Sequence, residues 1–130
     1  MRTFKALLSS VLLALASASS ASPATVDPNS DFDCAIISRF YFHVAEARKA
    51  PADERELTFV MSEWFSDQWN RDHPGEGAKH MDRYNAVVNA LGDDPNAYRE
   101  MIRTCGHRAT SDAAFEPFWI LHRKDTPALR

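Results

Sequence analysis

The sequence predicts an all-α fold: an up-down-up-down four-helix bundle with a short C-terminal aromatic helical segment docked on it and one disulfide. Three observations lead there. Apolar residues recur at three- and four-residue steps in four successive stretches, the spacing that puts them on one helical face. Proline- or glycine-containing breaks separate those stretches. The only two cysteines, Cys34 and Cys105, fall near the start of the first stretch and the end of the fourth. Short connections make consecutive helices antiparallel, so those two positions share one pole of such a bundle.

The chain begins with an export pattern. Arg2 and Lys5 form a positive start, residues 6–16 an apolar core, and small residues follow, so residues 1–21 read as a signal peptide cleaved after Ala18 or Ala21. An apolar run of about 11 residues is too short to span a bilayer, which needs about 20. The mature chain is therefore expected to carry no membrane span and to reach a periplasmic or secreted destination. That destination is oxidising, which favours a disulfide between Cys34 and Cys105 over free thiols.

Residues 22–30, with Pro23 and Pro28 among turn formers, read as a flexible leader. Ser30 then supplies an N-cap with Asp33 as its acidic partner. The first helix is placed at 31–49, with Ile36, Ile37, Phe40, Tyr41, Val44 and Ala47 on one face and Cys34 joining it. Pro51 stops it. Asp53 with Glu56 reads as a second capping box, leading a helix that carries Leu57, Val60, Met61, Trp64 and Phe65 inward as far as about Asp72. His73-Pro74-Gly75 breaks the chain there.

The third helix is placed at 78–91, with Met81, Tyr84, Val87, Val88 and Leu91 on one side and Gly92 as its C-terminal cap. Asp94-Pro95 is a start signal for the fourth, whose inner face carries Tyr98, Met101, Ile102 and Cys105 and which Gly106 is expected to end. Beyond it Pro117 splits the pattern, so a final helix starting at Glu116 or two shorter pieces are both compatible with the sequence. Phe115, Phe118, Trp119, Ile120 and Leu121 are too apolar for water and are expected to dock on the bundle. The bundle domain thus spans 31–122, and 123–130 reads as a mobile tail.

Composition narrows function. The full chain carries a formal charge of −3, with 15 Lys and Arg against 18 Asp and Glu; loss of Arg2 and Lys5 with the signal peptide makes it −5. A negative surface repels phosphate backbones, so a nucleic-acid partner is not expected. The chain holds no Gly-x-Ser-x-Gly elbow, no His-Glu-x-x-His and no phosphate-cradling glycine loop, so no catalytic residue is assigned and a non-enzymatic role is expected.

Histidine and acid clusters offer a weak metal alternative. His43 and Glu46 lie one turn apart, and His73, Glu76 and His80 straddle the Pro74-Gly75 turn; neither set supplies four ligands with a second shell, so no metal or other cofactor is assigned. Haem is disfavoured, because Cys105-Gly106-His107 lacks the preceding cysteine of a covalent attachment motif. Met61, Met81 and Met101, at inward phase, suit packing better than ligation.

The aromatic residues give the interaction hypothesis. Phe42 and Phe59 fall out of phase with the apolar faces of their helices, and Trp69 lies at the margin of its own. With Phe115, Phe118 and Trp119 they form a candidate interaction surface, covered either by the C-terminal segment or by a partner. The leading expectation is a small exported helical binding or interaction protein whose partner is an unknown protein or a small apolar ligand. The alternatives are a periplasmic metal- or haem-binding bundle and an acid-stress chaperone-like protein whose histidines and carboxylates gain protons as pH falls.

Overall fold

The computed structural model describes residues 25–129, which hold five α-helices and no strand. The signal peptide read at 1–21, residues 22–24 of the leader and Arg130 lie outside the described residues. The helices are α1 (Asp31–Ala47), α2 (Ala52–Asp72), α3 (Met81–Asp93), α4 (Arg99–Thr110) and α5 (Phe115–His122). Three 3₁₀ turns, Gly77–His80, Pro95–Tyr98 and Arg123–Asp125, precede α3, precede α4 and follow α5.

Helix α1 is the hub. It packs against α2, α3 and α4, while α2 also meets α4 and α5. Because neighbours surround it, α1 buries residues around much of its circumference: Cys34, Ile36, Ile37, Ser38, Phe42 and Ala45 are all inside. Consecutive helices α2 and α3 share no extended contact. That gap in the bundle makes the groove described below.

At one pole Cys34 and Cys105 form a disulfide, with α-carbons 5.6 Å apart. Both residues are fully buried. Arg108 closes the same pole, donating to the Pro28 carbonyl at 3.0 Å and pairing with Asp31. Its guanidinium also lies over the Phe65 ring, 5.2 Å from the centroid, a cation–π arrangement.

Several boundaries differ from the sequence reading, each for a local reason. Helix α1 stops at Ala47 because Lys49 takes a left-handed backbone, φ 53°, which turns the chain so that the Ala50 amide donates to the Ala45 carbonyl. The Asp53–Glu56 capping box does not form: α2 begins at Ala52, with Pro51 at the N-cap position and no side-chain cap. Asp53 instead accepts from the Glu54 amide, and Glu56 pairs with Arg123 from the end of the chain. Gly92 lies within α3 and not at a left-handed cap. Asp94 caps as expected, accepting from the Ala97 amide, but the turn it starts is a 3₁₀ turn that leads into α4.

Gly106 does not end α4, which runs on to Thr110 and buries Ala109 one turn beyond Cys105. A right-handed glycine is tolerated in a helix that gains burial at both flanks. Helix α5 starts at Phe115, so Pro117 falls in the first turn, where a missing amide proton breaks no helical bond.

Ser30 caps α1 by accepting from the Asp33 amide at 3.3 Å. The Asp33 side chain does not complete a capping box. It is buried, accepts from the Asp27 amide at 2.8 Å and pairs with Arg83 of α3. Arg83 also donates to the Thr25 carbonyl, and Val26 is only 3% exposed. The described part of the leader is thereby held against the bundle instead of lying loose.

The C-terminal segment docks through part of its apolar surface. Phe115 is buried and meets Trp64 edge-on at 5.6 Å, with Phe118 against the same ring at 5.3 Å. Ile120 and Leu121 do not dock: they are 65% and 59% exposed. One turn of helix after Pro117 faces α2 with Phe118 and turns these two residues outward. Arg123 lies over the Trp119 ring, and Arg55 donates to the Pro127 carbonyl at 3.5 Å.

Candidate functional site

The gap between α2 and α3 is a groove of about 460 Å³ floored by α1. Its floor is a single helical stripe: Phe32, Ala35, Ile36, Arg39, Phe40 and His43 recur at steps of three, one, three, one and three residues. Trp69 and Ser66 stand on the α2 wall, Tyr84 and Val88 on the α3 wall. The volume lies within the roughly 300–1,000 Å³ of pockets that take small molecules.

One end of the groove is closed by rings. The Trp69 indole stacks on His73, with centroids 4.7 Å apart and planes within 10°. It meets Phe32 at 5.1 Å and the edge of His80 at 5.1 Å. This cluster forms because Gly75, at φ 74°, reverses the chain in a conformation that a Cβ would strain. The 3₁₀ turn is thereby folded back onto α2, with α3 springing away beyond it. The His73 Nδ1 lies 3.1 Å from the Trp69 carbonyl, which fixes the ring over the indole.

The polar groups on the floor are already matched. Arg39 pairs with Glu63 and lies over the Phe59 ring at 4.7 Å. His43 Nδ1 is 3.1 Å from Glu46 Oε1 at the open end. The Ser62 hydroxyl donates to the Phe59 carbonyl at 2.6 Å. What the groove offers to a ligand is therefore mainly ring surface and aliphatic side chains, with Ser66 and Asn70 of α2 and the Tyr84 hydroxyl as polar points on its walls and the charges of its floor already paired. Such a surface gains by excluding water from an apolar body.

The sequence-derived interaction surface needs correcting. Phe42 and Phe59 are buried at 1% and 8% exposure and pack on each other at 5.4 Å. They belong to the core, because a helix with three neighbours has no single inner face, and the phase that looked outward points at another helix. Phe115 is core too, docked edge-on against Trp64 of α2. Phe118 and Trp119 are half-buried around the α2–α5 contact. Of the six, only Trp69 lines the groove.

The metal alternative finds no assembled ligand set. His43 and Glu46 satisfy each other on α1, and His73 and His80 are held by the indole between them, ring centroids 6.3 Å apart. Among the described residues no three of His, Cys, Asp and Glu come together in a metal-holding arrangement.

Sequence reasoning missed Phe32, Ala35, Tyr84 and Val88 as site residues. A signal existed in α1, which carries two apolar stripes: one with Cys34, Ile37 and Ala45, the other running from Phe32 to Phe40. Only one of them is needed to join a simple bundle. Among the described residues no helix is long and apolar enough to cross a membrane. Comparison with protein-family models, curated proteins and solved structures finds no match for this chain.

Proposed function

We propose that the protein is a small, exported, non-enzymatic binding protein that takes a neutral, ring-bearing apolar molecule in the groove between α2 and α3. The observation that carries this reading is the groove itself: a small-molecule-sized concavity walled by Trp69 and Tyr84, floored by Phe32 and Phe40, with Arg39 paired with Glu63 and seated over the Phe59 ring. Export to the periplasm or the medium is supported by the signal-like start and by the Cys34–Cys105 disulfide, which oxidising compartments maintain. A preformed pocket held open by a closed ring cluster and a cross-linked pole loses little freedom on binding, which favours affinity.

The test is titration of the purified, oxidised protein with N-phenyl-1-naphthylamine, an uncharged aromatic probe whose emission rises in apolar surroundings. Saturable one-to-one binding with quenching of tryptophan emission supports the proposal. A signal that grows linearly without saturation contradicts it.

A further inference from the structure

On the opposite side of α1, the structure holds a second concavity of different chemistry. The end of α1, the first turns of α2 and the start of α4 meet around a cleft of about 410 Å³. Three guanidinium groups, Arg48, Arg99 and Arg103, converge there in a chain whose formal charge is negative.

The carboxylates around the cleft leave one of the three without a partner. Glu54 pairs with Arg48, and Glu100 pairs with Arg103. Asp94 caps the neighbouring 3₁₀ turn by accepting from the Ala97 amide. Arg99 has no carboxylate partner among the described residues. It is also the first residue of α4, where the partial positive charge of the helix start disfavours a cation. Two of the three cations are thus matched, and Arg99 is the one left at a helix start without a carboxylate of its own among the described residues.

Both existing pairs are exposed, with side chains 59% and 43% exposed in one and 66% and 80% in the other. Exposed pairs contribute only about 0–1 kcal/mol, so Arg48 and Arg103 can turn toward a ligand at little cost. Guanidinium forks match carboxylate and phosphate oxygens two at a time. Between the arginines, Val44, Ile102 and the Tyr41 ring supply an apolar lining. A bare inorganic ion would leave that lining unused.

We infer that this cleft is a second binding site, for a small organic anion whose carboxylate or phosphate head lies against Arg99 and Arg103 and whose body rests on Val44 and Ile102. The head is bound by charge and by paired N–H donors, and the body by burial. The site is independent of the groove across α1.

Phenyl phosphate and benzoate, titrated separately into the oxidised protein at low ionic strength and followed by calorimetry and by arginine Nε–Hε resonances, test it. Saturable binding of either probe, weakened at least tenfold in Arg99→Gln and unchanged in Arg71→Gln, an exposed arginine in the last turn of α2 and away from the cleft, supports the site. Preference for one probe identifies the head group. Arg99 is exposed and unpartnered, so Arg99→Gln should unfold at the same temperature as the parent or above it without ligand, which separates lost binding from lost folding. Arg103→Gln is the second variant and should weaken binding in the same direction. Absence of saturable binding by both probes, or an affinity that Arg99→Gln leaves unchanged, overturns the inference.

Discussion

Asp33 and Arg83 meet across the α1–α3 contact, and they are unlike the other ion pairs of the chain: the aspartate side chain is 2% exposed. Its two oxygens accept from Arg83, and one also accepts from the Asp27 amide. The pair ties three segments at one point, the leader, α1 and α3. Its carboxylate holds the Arg83 guanidinium even further above its usual range, chiefly through the side-chain hydrogen bond. Removing the arginine alone strands a buried carboxylate, which typically costs 3–5 kcal/mol. Urea unfolding of Arg83→Gln should therefore show a loss of about 3 kcal/mol or more. Asp33→Asn combined with Arg83→Gln should lose less than Arg83→Gln alone, because no charge is then left buried.

The disulfide closes a span of 71 residues. Cross-linking so long a loop removes about 4 kcal/mol of chain entropy from the unfolded state, less any native strain. Replacing both Cys34 and Cys105 by alanine should lower stability by about 2–4 kcal/mol, read as a lower urea midpoint against oxidised parent. Equal midpoints would show that the cross-link contributes nothing to the fold.

Phe42 and Phe59 lie in the core, so truncation should behave as core truncation does. Phe42→Ala should cost about 3–5 kcal/mol, measured by urea or thermal unfolding. A loss under about 1 kcal/mol would return Phe42 to the surface, where substitutions have little effect.

Tyr41 gives a pH dependence with a definite sign. Burial pushes its phenol above the usual tyrosine range; the nearby Arg99 charge opposes this, and Asp94 adds to it. The neutral hydroxyl also donates to the Pro95 carbonyl. The folded protein thus keeps this proton at a pH where the unfolded chain has begun to lose it. Its contribution to stability is complete below about pH 10 and falls as pH rises further. Unfolding between about pH 9 and pH 11.5 should show a steeper alkaline loss in the parent than in Tyr41→Phe. Parallel curves would contradict this.

What was legible in the sequence follows from which signals are local. Helical periodicity, the Ser30 and Asp94 caps, the Pro74-Gly75 reversal and the parity that brings Cys34 to Cys105 are all short-range or topological, and the fold realises them. Burial of Phe42 and Phe59 depends on how many neighbours surround α1, a property of the assembled bundle. The buried Asp33 looked like a capping residue because its position in the first turn suits either use, and its partner Arg83 is 50 residues away. Ile120 and Leu121 were expected inside because hydrophobicity alone does not fix which side of an 8-residue helix meets the bundle. The groove was the least legible feature, since it arises from an absence of contact between two helices adjacent in sequence.

The groove reading predicts a definite result when the groove is filled from within. Ala35 is half-buried on its floor, and Ala35→Trp places an indole where the ligand should lie. Ala47→Trp, at an exposed position on the same helix, is the matching control. With both variants shown to be folded and oxidised, titration with N-phenyl-1-naphthylamine should give saturable binding in the parent and in Ala47→Trp and none in Ala35→Trp. Undiminished binding by Ala35→Trp would contradict the assignment of the α2–α3 groove as the binding site.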